Sequence, residues 1–159
     1  MSFFPFMVAG LLAVVVAMWA NLDFLNEKLV GEKPPHCLPP YEVEWIPWEP
    51  GLVEKKRSEG EVVFLLFRVD WDLTSVVNEK RLFNSDAFVE KLEEYRVVLI
   101  KADFTDQDPK IRDELVKYGG MILPKSVIFS SDMRGEPIIL PELLTPEIAI
   151  EGLNRAAGK

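Results

Sequence analysis

The chain is poor in the histidine and cysteine that bind transition metals and in the thiols that exchange disulfides. Among its 159 residues there is one cysteine, Cys37, and one histidine, His36. A single cysteine excludes any disulfide within these residues. One His and one Cys cannot complete a tetrahedral metal site, so no metal and no cofactor is expected. A Ser-His arrangement at Ser75 is also disfavoured, because the one histidine that could serve as its base, His36, lies back in a proline-rich stretch, Pro34 to Pro40. Positive charge is outnumbered, 18 Lys and Arg against 26 Asp and Glu. The net charge of −8 argues against a nucleic-acid partner, and no polybasic run offers itself to anionic lipid. Internal repeats and low-complexity tracts are absent.

Length leaves room for one domain and an appendage. Residues 3–22 carry no charge and are broadly apolar, which matches the roughly 20 residues needed to cross a bilayer. Trp19 near the far end suits an interfacial anchor. The rival is a cleavable signal peptide, but no Lys or Arg precedes the apolar run, and Met18-Trp19-Ala20 makes a poor cleavage site. The reading therefore favours residues 1–22 as an uncleaved anchor. Flanking charges leave its orientation open. Residues 23–44 follow as a proline-stiffened linker, and residues 45–159 form the globular domain.

That domain alternates strand and helix. Val62 to Phe67 is a continuous apolar run, as a central strand covered on both faces requires. A helix is predicted from Leu73 to Leu82, and another after Ser85 or Asp86 on the helical spacing of Phe88, Leu92 and Tyr95. Arg96 to Ala102 reads as the next strand. Asp108-Pro109 and Thr145-Pro146 each place a cap before a proline at the first helical position, and Gly119-Gly120 ends the helix between them. Ser126–Ser130 and Glu136–Leu140 flank Asp132-Met133-Arg134-Gly135 and suit an antiparallel hairpin. Trp45 and Trp48 are expected to pack on the domain.

The most informative stretch is Val69-Asp70-Trp71-Asp72-Leu73-Thr74-Ser75, where the apolar strand gives way to a helix. A redox motif in that setting would read Trp-Cys-x-x-Cys, and here Asp72 and Ser75 stand at the two cysteine positions. Other landmarks run in order along the chain. They are Trp45-Ile46-Pro47-Trp48, the stretch Gly51 to Gly60, Val77-Asn78-Glu79-Lys80, Leu99 to Thr105, Asp108-Pro109, Leu123-Pro124, and Glu136-Pro137 through Pro146. Together they resemble the C-terminal thioredoxin-like domain of DsbD-type thiol:disulfide interchange proteins, which commonly have Cys-Leu-Thr-Cys-Lys-Val-Asn-Glu at this site. The departures cluster there: Asp72 and Ser75 for the cysteines, Val76 for the lysine that follows, and Leu66 where many relatives bury an acid that assists proton transfer. The resemblance implies an α/β, thioredoxin-like fold, a central mixed sheet flanked by helices, preceded here by one N-terminal transmembrane helix. It also implies that the globular part lies in the periplasm, or outside the cytoplasmic membrane generally, attached to the cell inner membrane.

Thiol chemistry is expected to be lost, so no catalytic residue is assigned. Asp72 reads as a helix N-cap accepting from Thr74 or Ser75 and not as a general base. Asp70 and Asp72 lack further ligands for a metal. The resemblance makes Leu123-Pro124 the cis-proline loop that faces the site, where relatives pair with an extended substrate segment. Trp71, Leu73, Thr74, Leu123 and Pro124 are therefore the candidate groove for a protein or peptide partner, the rival being that Trp71 simply packs on the domain. Lys125 is expected to be a solvated surface lysine, with an ion pair to Asp72 as the other option. Two functions stay open. One is a non-catalytic binding or accessory module in disulfide handling or cytochrome c maturation. The other is a component of a DsbD-type interchange system that uses cysteines of another subunit.

Overall fold

The computed structural model describes residues 43–159. Within them the element order is β1 (Ile46–Pro47), α1 (Leu52–Ser58), β2 (Val63–Arg68), α2 (Leu73–Phe83), α3 (Asp86–Glu94), β3 (Val98–Asp103), α4 (Pro109–Val116), β4 (Lys125–Phe129), β5 (Ile138–Ile139) and α5 (Pro146–Ala156). The five strands form one mixed sheet in the order β1-β3-β2-β4-β5. β1, β3 and β2 are parallel, whereas β4 and β5 add antiparallel.

The apolar run in β2 explains why it is central. Phe64 and Leu66 point to one face, where they pack with Leu82 and Phe83 of α2, Phe88 and Leu92 of α3, and Leu153 of α5. Val63, Leu65 and Phe67 point to the other face, against Val53 of α1 and Ile111 and Leu115 of α4. Successive side chains of a strand alternate in direction, so a strand with helices on both sides must be apolar at every position. Phe64 and Phe67 are essentially buried, each burial stabilising by about 1.5–3 kcal/mol. The last helix lies close to the sheet at Gly152, where a Cβ would come within 2.8 Å of Ile128 Cδ1 and 3.0 Å of Leu140 Cδ2. Any larger residue there would force the Ile128 and Leu140 side chains to shift.

Three predicted boundaries shift. β3 starts at Val98 and not at Arg96, because Arg96 has φ 50 and closes α3 in the left-handed region. The Arg96 N–H donates to the Glu93 carbonyl and the Val97 N–H to the Leu92 carbonyl, a Schellman ending without its usual glycine. β4 starts one residue earlier than expected, at Lys125. β5 shrinks to Ile138–Ile139, bracketed by Pro137 and Pro141, neither of which has an N–H for the ladder. The 132–135 turn is instead held by Arg57 of α1, whose guanidinium donates to the carbonyls of Ser130 (2.8 Å), Asp132 (2.6 Å) and Gly135 (3.1 Å).

Among the described residues no helix is long and apolar enough to cross a membrane. The predicted span at residues 3–22, and with it the linker thiol Cys37, lies outside the described residues. Trp45 does pack on the domain, edge-to-face against Phe83 at 5.5 Å and Phe64 at 6.5 Å, with Lys101 Nζ 4.5 Å above its ring.

Candidate functional site

Parallel β2 and β3 both end at one edge of the sheet, and the loops that leave them build the site. After β2 the buried Val69 accepts from the Asp72 N–H at 3.2 Å, which folds Asp70-Trp71 into a tight turn. Asp72 then caps α2. Its Oδ1 accepts from the Thr74 N–H at 3.2 Å, while Oδ2 accepts from both the Ser75 N–H and the Ser75 hydroxyl at 2.7 Å. Burial raises the Asp72 pKa, but the donors from Ser75 and Thr74 outweigh it and hold the carboxyl below its ordinary value. An anion at a helix N-terminus is well placed electrostatically.

This geometry bears directly on chemistry. Ser75 has a carboxylate partner, as a hydrolytic nucleophile needs, yet it is fully buried and no substrate carbonyl could approach it. Asp72 and Ser75 are a closed cap: the pair keeps the negative charge of a thiolate and supplies nothing that can exchange with a disulfide. Among the described residues no group of three His, Cys, Asp or Glu side chains is placed to hold a metal ion.

Around this cap the apolar side chains point outward. Trp71 is 65% exposed and Leu73 79%, so Trp71 does not pack onto the domain as the rival reading had it. Across from them the Leu123-Pro124 peptide bond is cis. Met121 and Ile122, just before it, are exposed as well. A groove of about 440 Å³ runs between the two loops, lined by Val69, Trp71, Asp72, Phe104, Met121 and Leu123 among others. Among the described residues no backbone hydrogen bond engages the N–H or C=O of Leu123, which lies beside the groove.

The structure thus brings Trp71, Asp72 and Leu123 together. Leu73 projects to solvent from the first turn of α2, Thr74 is half-buried, and Ser75 and Pro124 are buried. Phe104 and Met121 were not singled out in the sequence. For Phe104 the signal was available, since it follows the end of β3 at the same sheet edge.

Lys125 corrects both expectations held for it. It is buried, 6% exposed, and makes no ion pair among the described residues. Its Nζ donates to the carbonyls of Tyr118 (2.9 Å) and Gly120 (2.7 Å), just past the end of α4. Burial lowers its pKa, partly offset by the field of Glu142. Lys125 thereby ties down the 118–122 loop that presents Met121 and Ile122. A third segment is fixed in a similar way. Asn78 of α2 donates to the Glu142 carbonyl at 2.6 Å and accepts from the Leu144 N–H at 3.0 Å, leaving Leu143 exposed between them.

Behind the site, Leu66 is buried in the apolar cluster and pairs in register with Lys101 of β3. The charge facing Lys101 comes from α2 instead. Glu79 accepts from Lys101 Nζ at 3.0 Å and from Arg68 at 3.3 Å, and Arg68 reaches on to Asp70 at 2.6 Å. No carboxyl sits at position 66 to carry a proton toward the cap.

A sequence profile of thioredoxin-like proteins matches residues 44–131. The chain belongs to the thioredoxin-like family. Among solved structures, this thioredoxin-like chain is similar to the reduced C-terminal domain of DsbD from Neisseria meningitidis (TM-score 0.56, 17% identity, 70% of this chain and 99% of that one). It is similar to a DsbH oxidoreductase at TM-score 0.56 and 14% identity, over 84% of this chain and 98% of that one. A chloroplastic thioredoxin z matches at TM-score 0.55 and 16% identity, over 74% and 97% respectively. At such identities the likeness is one of fold. No curated protein matches the chain.

Proposed function

We propose that this chain is a non-catalytic thioredoxin-like module that holds an extended segment of a protein partner in the groove between the Trp71-Asp72 turn and the Leu123-Pro124 loop. The observation that carries the proposal is the exposure of Trp71 across from Leu123, whose backbone makes no hydrogen bond among the described residues, next to a helix terminus already sealed by Asp72 and Ser75. Exposed aromatic side chains are frequent anchors of binding surfaces, and an unpaired backbone edge favours an added strand. Thiol-disulfide exchange needs a thiolate and a proton path, and the site offers neither. Residues 3–22 would tether the module to the cell inner membrane with its globular domain in the periplasm. The DsbD-like landmarks favour a role in disulfide handling or cytochrome c maturation. They also support a second reading, in which the module serves a DsbD-type interchange system whose cysteines belong to another subunit.

The test is capture of partners from native membranes by the full chain, followed by identification. Trp71→Ala and Ile122→Asp are both at exposed positions and should retain the native circular dichroism spectrum. Each should lose the captured protein. Undiminished capture by both folded variants would move the binding surface elsewhere. Capture only of cysteine-bearing redox subunits, through mixed disulfides with Cys37, would favour the second reading.

A further inference from the structure

The charges around the groove specify what it holds. Residues 69–72, 103–108 and 118–124 supply its walls, and residues 141–144 are tied alongside through Asn78. These segments contain Asp70, Asp72, Asp103, Asp106, Asp108 and Glu142, and not one Lys or Arg. Of the cations that flank these segments, Lys110 has no side-chain partner among the described residues, and the others are engaged, Lys117 with Glu114. Arg68 pairs with Asp70 and Glu79, Lys101 with Glu79, and Lys125 is turned under the 118–122 loop. Asp72 and Asp108 cap helices and Asp103 accepts from Thr105. Asp106 and Glu142 are exposed, and among the described residues neither side chain has an ion-pair or hydrogen-bond partner. The floor is apolar and the rim is acidic.

Resting on the groove reading above, we propose that the occupant is an extended protein segment with an apolar centre flanked on both sides by Lys or Arg. The centre would be buried against Trp71, Phe104 and Met121. The flanks would meet Asp106 of the 103–108 segment, next to the lining residue Gln107, and Glu142 of the 141–144 segment. Complementary charge of this kind raises the association rate and rejects wrong partners. An acidic or phosphorylated segment is repelled, and so is an anionic bilayer.

Three synthetic peptides of about nine residues, long enough to cross the groove when extended, test the proposal against the full chain in neutral detergent by titration calorimetry. All share a Val-Leu-Val centre; their flanks are Lys/Arg, Ser/Gln or Asp/Glu. The basic peptide should bind about tenfold more tightly than the neutral one and weaken severalfold as salt is raised, with no measurable binding of the acidic one. The double variant Asp106→Lys, Glu142→Lys should weaken the basic peptide by about tenfold and spare the neutral one. Trp71→Ala should remove both. Equal affinity for all three peptides, lost in Trp71→Ala, overturns the charge proposal and leaves the groove reading standing. Binding of the basic peptide that survives Trp71→Ala, or no binding of any peptide, overturns both.

Discussion

Replacing Asp72 by alanine tests the closed cap in a way that distinguishes its parts. The carboxylate accepts three hydrogen bonds, two from backbone N–H groups and one from the Ser75 hydroxyl. Loss of an N-cap commonly costs about 1 kcal/mol. Ser75 is fully buried, so its hydroxyl would also lose its partner in a place water cannot reach, at a cost of about 1–3 kcal/mol. Asp72→Ala should therefore destabilise by about 2–4 kcal/mol, well above an ordinary cap loss. Adding Ser75→Ala removes the orphaned hydroxyl, so the double variant should recover about 1 kcal/mol relative to Asp72→Ala alone. Asp72→Asn and Asp72→Ser keep an acceptor and should cost much less than alanine. Urea titration of the full chain supplies the values, read from midpoints at constant slope. A pH series adds an independent check. The Asp72 pKa is lowered in the folded state, so its contribution is present above the ordinary carboxyl range and is lost as pH falls through the folded value. That acid limb should flatten in Asp72→Ala. A cost below about 0.5 kcal/mol, or a double variant no more stable than the single one, would refute the reasoning.

Other outcomes follow from the same geometry. Lys125 has a lowered pKa, so protonation opposes folding below the folded value, and that penalty is relieved as pH rises toward 10.5. The stability of wild type minus that of Lys125→Met should accordingly rise across that window and stay flat below it; a difference independent of pH would contradict the burial argument. The full chain should show no insulin-reducing turnover above a buffer blank, since Cys37 is its one thiol. The double variant Asp72→Cys, Ser75→Cys should gain a disulfide that thiol titration detects only after reduction; two permanently free thiols would argue against a degenerate redox site. Residues 3–22 should keep the protein in the membrane pellet after a high-pH carbonate wash, whereas a soluble species starting after Ala17 or Ala20 would reveal a cleaved leader.

Most of the fold could be read from the sequence because its strongest signals are local. The apolar run of β2 and the caps at Ser85, Asp108 and Thr145 all lie where short-range rules put them. Arg96 misled because it takes the left-handed position that glycine usually marks. The cap at Asp72 was legible for the same local reason, whereas its grip on the Ser75 hydroxyl depends on burial. Lys125 was misread because its partners are carbonyls at the end of another element, which leave no trace in side-chain identity. Phe104, Met121 and Glu142 join Trp71 only once two helical connections and the β4–β5 hairpin bring these strand ends together, so the acidic rim became visible only in the folded domain.

The central claim is that an exposed groove, and not a reactive group, carries the function. Its most direct test is site-specific photo-crosslinking in native membranes, with a benzophenone side chain placed at position 71, at position 122, or at the exposed control position 90 on α3. Positions 71 and 122 should yield the same discrete crosslinked protein, and position 90 should not. No product from 71 and 122, or an identical product from 90, would contradict the account.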